Sequence, residues 1–256
     1  AEVGNIERPC CFDIDQDGEL EIIPNTPGGP VRVFKLVKDA NGKGAGKFDE
    51  FVVYSKNSGH GLGFGDINGD GRPDIVLASG WLEAPENPLG GEWVLHPEFT
   101  LVPSASVPIL VHDVNGDGLN DLIVGAGHDY GLAWYEQKRD GNGNRTWVKH
   151  DIDTERSQYH DMQLVDIDND GQVELITGKR YYAHATDPGA DDPVGIYYFE
   201  IKGGEFVRRT IDYGDRKECS GAGIYFWVAD LDGNGWKDVI APGKEGVYLF
   251  RNLGNA

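Results

Sequence analysis

Five short acidic segments of this 256-residue chain have the composition and spacing of calcium-binding turns. Each begins with Asp, carries Asp or Asn at its third and fifth positions, Gly at its sixth and an acidic residue at its ninth. Ca²⁺ takes about six to eight oxygen ligands, and alternate residues of a tight loop can turn their side-chain oxygens toward one ion. The predicted ligands are Asp13, Asp15, Asp17 and Glu21; Asp66, Asn68, Asp70 and Asp74; Asp113, Asn115, Asp117 and Asp121; Asp166, Asp168, Asp170 and Glu174; and Asp230, Asp232, Asn234 and Asp238. We therefore expect up to five structural calcium ions.

Short apolar runs flank every acidic segment, which argues against an EF-hand. That motif needs a glutamate at loop position 12 and a helix after the loop. Position 12 is instead Pro24, Leu77, Val124, Thr177 or Ala241. The runs that follow, such as DIVLAS and DLIVGA, are too short for helices and predict strands. The sequence therefore indicates an all-β protein with a repeated unit of strand, calcium turn, strand and one or two further strands.

The length of the repeat selects a particular all-β architecture. A unit of about 50 residues with four short strands has the size of a β-propeller blade. The acidic segments resemble those of the FG-GAP or VCBS repeat family of calcium-binding propellers, and the resemblance covers nearly the whole chain. We predict one propeller domain over residues 1–256, with blades near residues 7–56, 57–104, 105–154, 155–215 and 216–256. Two arrangements stay open: a ring of five blades, or five blades of a seven-bladed ring.

Composition excludes several classes of partner. Lys and Arg total 23 against 43 for Asp and Glu, which gives a formal net charge of −20. A nucleic-acid binder needs a surplus of cations, and an anionic membrane surface repels an acidic protein. No run approaches the 18 or so apolar residues of a membrane span, so we predict no membrane insertion. We expect a secreted, periplasmic or cell-surface protein, either a processed chain or an excised segment.

The three cysteines leave their redox state open. An odd number cannot form a full disulfide framework, and the adjacent Cys10 and Cys11 are poorly placed to bond each other. Either one of them pairs with Cys219, or all three are free thiols packed as small hydrophobic side chains.

Propeller topology predicts a second group of reactive residues, on the face opposite the calcium turns. Residues before each first strand and in each turn between second and third strands surround the central funnel, where a rigid scaffold can carry a ligand site. Four of the seven histidines fall at these positions, together with Lys and Arg. The predicted catalytic residues are His128, His160, Arg180, Lys179 and Tyr181; the predicted substrate-binding residues are Trp81, Tyr130, His60, His184 and Lys244. His96, His112 and His150 are assigned structural or solvent-facing roles.

This inventory suits proton abstraction beside a carbonyl group followed by β-elimination. Histidine can act as a base or as a neutral metal ligand near pH 7, and Lys or Arg can stabilise an enolate. The predicted roles are base for His128 or His160, enolate stabilisation for Arg180 and Lys179, ring contacts for Trp81 and Tyr181, and binding of a further divalent metal or of the substrate for His60 and His184. The leading hypothesis is therefore a carbohydrate lyase or dehydratase.

A second resemblance supports that hypothesis. The segments GHGLGFGDINGDGRPDIVLASGWLEAP and DNDGQVELITGKRYYAH are similar to the propeller domain of the aldos-2-ulose dehydratase family. The resemblance implies a ketosugar ligand such as 1,5-anhydrofructose, loss of water, and a divalent metal. No cupin-like region is present in the sequence, so the isomerase half of that family's activity is not implied.

Two other functions are compatible with the same calcium turns. One is a non-catalytic carbohydrate-binding or adhesion module, and the other is a scaffold that binds no ligand. A glycosidase with paired carboxylates is disfavoured, because most of the acidic residues are predicted to be calcium ligands.

Overall fold

The computed structural model describes residues 3–254, and these residues form only strands, isolated bridges and turns. Within this range no helix has the length and apolar character that crossing a bilayer requires. Its cysteines, Cys10, Cys11 and Cys219, are all free thiols. The prediction of an all-β propeller is confirmed, while a bridge from Cys219 to Cys10 or Cys11 is not formed.

The strands form five consecutive antiparallel units, here called blades 1 to 5. Blade 1 contains β1 (Arg8–Phe12), β2 (Glu21–Asn25), β3 (Val31–Lys38) and β4 (Gly44–Tyr54). Blade 2 contains β5 (Gly63–Gly65), β6 (Asp74–Leu77), β7 (Gly80–Glu83) and β8 (Val94–His96). Blade 3 contains β9 (Ile109–His112), β10 (Asp121–Gly125), β11 (Tyr130–Arg139) and β12 (Arg145–Ser157). Blade 4 contains β13 (Tyr159–Val165), β14 (Glu174–Lys179), β15 (Val194–Lys202) and β16 (Glu205–Gly214). Blade 5 contains β17 (Trp227–Ala229), β18 (Asp238–Pro242) and β19 (Val247–Phe250).

Each acidic turn reverses the chain between the first and second strands of its blade. In the first turn, one carboxylate oxygen of Asp13 accepts the backbone N–H of Asp17 at 3.1 Å, and the other accepts that of Gly18 at 2.9 Å. Gly18 has a φ of 88°, a left-handed conformation that glycine adopts at little cost. The other four turns repeat this arrangement, with the backbone N–H groups of the fifth and sixth positions bonded to the first Asp.

Apolar side chains fill the space between consecutive blades. One buried cluster lies between each successive pair, and β6, β10 and β14 are buried along their whole length. The acidic turns of neighbouring blades also touch: Gln16 donates to the carbonyl of Gly71 at 2.9 Å, and Asn169 donates to that of Gly235 at 3.0 Å. Consecutive blades are therefore held both through their faces and along their turn edge.

The inner strands converge on a common centre. A parallel pairing between β5 and β9 joins blades 2 and 3 into one sheet. Arg8, at the start of β1, forms a buried ion pair with Asp161 of β13 and also bonds to the backbone carbonyl of Val107. Its guanidinium lies 4.6 Å from the ring centre of Tyr225, just before β17. This one side chain thus ties four blades together beside the funnel.

Candidate functional site

Three imidazoles and one carboxylate meet at the centre of the propeller. Glu7 immediately precedes β1, His60 precedes β5, His128 lies between β10 and β11, and His160 lies in β13. Each offers one ligand atom, and these four atoms lie within 4.8 Å of one another. The group, called here the central cluster, therefore draws one residue from each of blades 1 to 4.

A single oxygen of Glu7 is the focus of the central cluster. Its Oε1 atom lies 2.8 Å from Nε2 of His160, 3.6 Å from Nε2 of His60 and 3.7 Å from Nε2 of His128. The imidazoles of His128, His160 and His60 together hold the pKa of the Glu7 carboxyl far below its usual range. The carboxylate is therefore ionised, and three ring nitrogens surround it.

The outer nitrogens of two histidines orient their rings. Nδ1 of His60 donates to the backbone carbonyl of Ala105 at 2.7 Å, so a neutral ring carries its lone pair on the inward Nε2. That Nε2 atom is buried and has no hydrogen-bond partner. Nδ1 of His128 lies 2.9 Å from a carboxylate oxygen of Asp187. Histidine ligands of metals commonly bond through the second nitrogen in this way, to a carbonyl or a carboxylate.

His160 is fully buried, and that burial lowers its pKa to about 4. The imidazole is therefore neutral at pH 7, as a metal ligand must be. Three nitrogens and one carboxylate oxygen form a donor set of intermediate softness that suits zinc and neighbouring divalent transition metals. The central cluster fits such an ion.

Cations and a further histidine lie against the cluster. Arg180 is 6% exposed, and its Nη2 atom lies 3.1 Å from both ring nitrogens of His128, so it faces the ring. The ring of His184 stacks on His128 with 5.1 Å between centres. Lys179 is 1% exposed and donates to the carbonyl of Arg180 at 2.7 Å, and burial lowers its pKa to about 8. Lys179 therefore lies beneath the site rather than in it.

An open groove of about 520 Å³ leads from the cluster between blades 4 and 5. Glu7 and Arg180 form its inner end, and Tyr181, Tyr225 and Lys244 form its walls and rim. A volume of this size accommodates a small ligand. The groove is therefore the path by which a ligand can reach the cluster.

The structure corrects several predicted roles. Trp81 is 1% exposed in the core of blades 2 and 3, stacked on His96 at 4.3 Å, and presents no face to the funnel. The turn before β7 is tighter than the sequence suggested, so Trp81 already lies within the strand. His160 is too buried to remove a proton from a ligand, and its place in the cluster favours metal ligation over the role of base. Tyr130 donates its hydroxyl to Asp192 at 2.7 Å and does not line the groove.

The other predicted site residues lie together as expected. His60, His128, His160 and His184 are neighbours, and Arg180, Tyr181 and Lys244 adjoin them. Glu7 and Asp187 were missed. Glu7 occupies the position before a first strand that His60 occupies in blade 2, so an alignment of those positions between blades would have found it.

Three of the acidic turns bring carboxylate oxygens together as a calcium site would. The carboxylates converge within 4.8 Å in Asp13, Asp15 and Asp17, in Asp166, Asp168 and Glu174, and in Asp230, Asp232 and Asp238. Oxygen-only donor sets of this kind fit Ca²⁺. The proposed calcium ligands are thus brought together in blades 1, 4 and 5.

The ninth residue of each turn also has a structural role. In blade 2, Asp74 is fully buried and accepts the backbone N–H of Ile67 at 2.9 Å and that of Ala84 at 3.0 Å. Burial raises the pKa of its carboxyl to about 6. Asp121 of blade 3 repeats both bonds, with Val114 and Gln137. These carboxylates link the turn to the third strand whether or not an ion is bound.

Five blades with an acidic turn in each define an all-β propeller built from one repeated unit. A model of the FG-GAP-like repeat matches residues 8–77 and 113–177, which together make up more than half of the chain. The chain belongs to the FG-GAP-like repeat family. No curated protein sequence matches it.

Solved structures show the same fold at low sequence identity. A lectin from Agrocybe aegerita, studied for specific recognition of non-reducing terminal N-acetylglucosamine, superposes with a TM-score of 0.54 at 20% identity, covering 97% of this chain and 63% of the lectin. The V. cholerae biofilm matrix protein Bap1 matches with a TM-score of 0.39 at 18% identity, over 86% of this chain and 30% of Bap1. The chain thus spans less than two thirds of the length of either protein.

Proposed function

We propose that this chain is a carbohydrate-binding propeller whose ligand lies in the groove against a divalent transition metal held by the central cluster. The observation that carries the proposal is the convergence of Glu7, His60, His128 and His160 within 4.8 Å. These residues come from four blades, so no local hydrogen-bonding pattern brings them together. Four buried or half-buried side chains whose ligand atoms lie around one point form the geometry of a metal site.

The orientation of the rings supports metal binding over a purely structural cluster. In its neutral form, His60 turns the lone pair of Nε2 toward the carboxylate of Glu7, which is also an acceptor. A cation or a proton between these two atoms, 3.6 Å apart, removes their repulsion, and a divalent ion would bind all four ligand atoms of the cluster at once. When bound, a metal would offer an electrophilic centre for a hydroxyl or carbonyl oxygen of the ligand.

The walls of the groove support a carbohydrate ligand. Tyr181 and Tyr225 lie along it, and aromatic faces suit the apolar faces of sugar rings. Tyr225 is 40% exposed although it lies beside the centre of the propeller. The lectin with the shared fold recognises a terminal sugar, which gives this proposal precedence over an enzymatic one.

A carbohydrate lyase or dehydratase is the second candidate, and His184 favours it. This histidine is exposed at the inner end of the groove, where it can reach a ligand that His160 cannot. In the proposed chemistry, His184 removes a proton beside a carbonyl group. Arg180 then stabilises the enolate oxygen while the leaving group departs.

Metal and sugar binding are testable with one set of samples. The protein is stripped with chelator and reloaded with calcium alone or with calcium and zinc. Calorimetry on the calcium-loaded protein should then show one zinc equivalent that His60→Ala and His128→Ala abolish. The control His150→Ala changes an outer-strand residue stacked on Trp134 and should leave zinc binding unchanged.

Glycan binding follows on the same samples. We expect array signals that require zinc and disappear in His60→Ala. Zinc binding without any glycan signal would refute the carbohydrate proposal, and equal zinc binding by all three variants would refute the central metal site.

The lyase candidate has its own readout. Elimination creates a conjugated C=C bond, so ketosugars and uronides are incubated with the zinc-loaded protein and ultraviolet absorbance is followed. Turnover that falls at least a hundredfold in His184→Ala, with zinc binding intact, supports the enzyme. Binding of these sugars without any rise in absorbance leaves the lectin-like function alone.

A further inference from the structure

Arg180 is a buried cation without an acidic partner. Its side chain is 6% exposed and its Nε atom has no hydrogen-bond partner. Its only side-chain hydrogen bonds among residues 3–254 are with the ring of His128. An unpaired charge removed from water is costly, so buried guanidinium groups usually bond to carboxylates. Within the described residues no carboxylate forms an ion pair with Arg180, although the more distant charges of Glu7 and Asp187 favour its charged form.

The second cation of the groove is also free of carboxylates. Lys244 donates to the backbone carbonyls of Tyr182 at 2.6 Å and Ala183 at 3.2 Å. Among the residues that line the groove, the acidic side chain is Glu7, which faces the histidines. In a chain with a formal net charge of −20, this groove therefore carries two cations and no free anion.

We propose that the ligand of the groove is an acidic carbohydrate whose carboxylate pairs with Arg180 while Lys244 attracts it at the rim. This inference rests on the proposed function and specifies the ligand class. A planar guanidinium can bond a carboxylate through two parallel N–H groups, and such charge-assisted pairs are strong. The position of Arg180 against His128 places that carboxylate beside the central cluster.

The test compares acidic sugars with their neutral esters. Calorimetry measures binding of oligogalacturonate, oligoglucuronate and the methyl esters of both to zinc-loaded protein. We expect each acidic oligosaccharide, or one of the two, to bind at least tenfold tighter than its ester. Arg180→Gln should remove that preference, Lys244→Gln should weaken it, and Arg209→Gln, an exposed residue paired with Glu200, should leave it unchanged.

The outcomes separate this inference from the proposed function. Equal affinity for acid and ester, or binding of neutral glycans alone, refutes the anionic ligand and leaves carbohydrate binding in place. Failure of every carbohydrate to bind refutes both. Should Arg180→Gln not fold, a preference for the acid that Lys244→Gln does not alter and that rising salt does not weaken counts against the inference.

A different observation concerns the first calcium turn. The register of each blade places one third-strand residue opposite the ninth residue of its turn. These residues are Lys35, Glu83, Glu136, Glu200 and Arg251 in blades 1 to 5. An acid at this position adds to the negative charge of the turn in blades 2, 3 and 4, whereas blades 1 and 5 carry a cation there.

In blade 1 the cation bonds to the residues predicted to hold calcium. Nζ of Lys35 lies 2.6 Å from a carboxylate oxygen of Asp15, 2.6 Å from one of Asp17 and 3.1 Å from one of Glu21. In blade 5, Arg251 bonds to Asp232 alone. In the first turn, an ammonium group therefore bonds to the carboxylates that would otherwise be free to coordinate Ca²⁺.

The geometry points to Lys35 as an internal substitute for calcium, so that the first turn stays closed without an ion. An ammonium group with three carboxylate partners neutralises charge that Ca²⁺ would otherwise neutralise. The chain would then bind calcium at the turns of blades 2, 3 and 4, and also at the turn of blade 5 when the Arg251 side chain moves away from Asp232. The turn of blade 1 would stay folded at calcium concentrations too low to fill the other turns.

Calcium stoichiometry tests this inference. Equilibrium dialysis should give at most four equivalents for the wild-type protein and one more for Lys35→Met. Lys38→Met is the matched control, because Lys38 pairs with Glu19 outside the ligand set and should not change the count. Asp15→Asn should leave the wild-type count unchanged, whereas Asp168→Asn should lower it by one. Five equivalents in the wild type, or loss of one in Asp15→Asn, would refute the substitution.

Discussion

The bond from Arg8 to Asp161 should be one of the main stabilising contacts at the centre of the propeller. Arg8 is 9% exposed and Asp161 is fully buried, and the pair connects β1 to β13. Replacing Arg8 with Met keeps most of the volume of the side chain and removes its charge. Asp161 would then retain the backbone N–H of Phe226 at 2.8 Å and lose its cation.

The expected cost follows from that uncompensated carboxylate. Breaking a buried ion pair by removing one partner costs about 3–5 kcal/mol. For a protein of this size, that corresponds to a fall in Tm of roughly 6–20 °C. Arg8→Met with Asp161→Leu replaces both charges by apolar groups, so we expect the double variant to be more stable than Arg8→Met alone.

Urea denaturation and calorimetry in saturating calcium measure these changes. Arg8 adjoins Glu7, so zinc binding should also weaken in Arg8→Met although Arg8 is not a ligand. A loss of less than 1 kcal/mol, or a double variant no more stable than Arg8→Met, would show that the pair does not hold the blades together.

Four further outcomes are expected. Chelating calcium should lower Tm, because clustered carboxylates lose their counter-ions; an unchanged Tm in excess EDTA would contradict the calcium sites. Trp81→Ala should lower the free energy of unfolding by about 3–5 kcal/mol, because it opens a cavity in the core, and should leave glycan binding intact at low temperature. A loss of glycan binding without a loss of stability would show instead that Trp81 contacts the ligand. Gly125→Ala should prevent folding or cost several kcal/mol, since a Cβ atom there would lie 2.1 Å from the carbonyl oxygen of Tyr159; a soluble variant with wild-type Tm would refute that packing. Lys179 has a folded-state pKa of about 8 against 10.5 when unfolded, so the unfolded chain binds more protons between these pH values. The free energy of unfolding of the wild type relative to Lys179→Met should therefore rise by up to about 3 kcal/mol from pH 8 to 10.5. A difference independent of pH would show that Lys179 is not desolvated.

The fold could be predicted because its signals are local. An Asp that accepts two backbone N–H groups of its own turn, and a Gly with positive φ, specify the same reversal wherever they recur. Short apolar runs on both sides of each reversal then specify paired strands. Tertiary context is not needed for either step, so the five units could be found in the sequence.

The candidate site was predictable only where topology fixes position. The four funnel histidines were found because residues before first strands and after second strands meet at the centre of any propeller. Trp81 was misplaced because one residue more or less in a turn moves a side chain from the funnel to the core.

The position of Lys35 beside the first acidic turn could not be predicted, because the loop before the third strand varies in length between blades. The residue opposite the ninth turn position follows it by 9 residues in blade 2, from Asp74 to Glu83, and by 26 in blade 4, from Glu174 to Glu200. No fixed spacing identifies it, and only the strand register does.

The central cluster takes its four ligands from four different blades, and this has a consequence for folding. Glu7 is separated from His160 by three blades of chain, so the complete ligand set exists only after the first strand has closed onto the fourth blade. During refolding, tight uptake of metal would therefore appear late and would report when the two distant segments have met. A polypeptide shortened to begin after residue 25 would keep its three imidazoles and lose both the carboxylate and the arginine beside it.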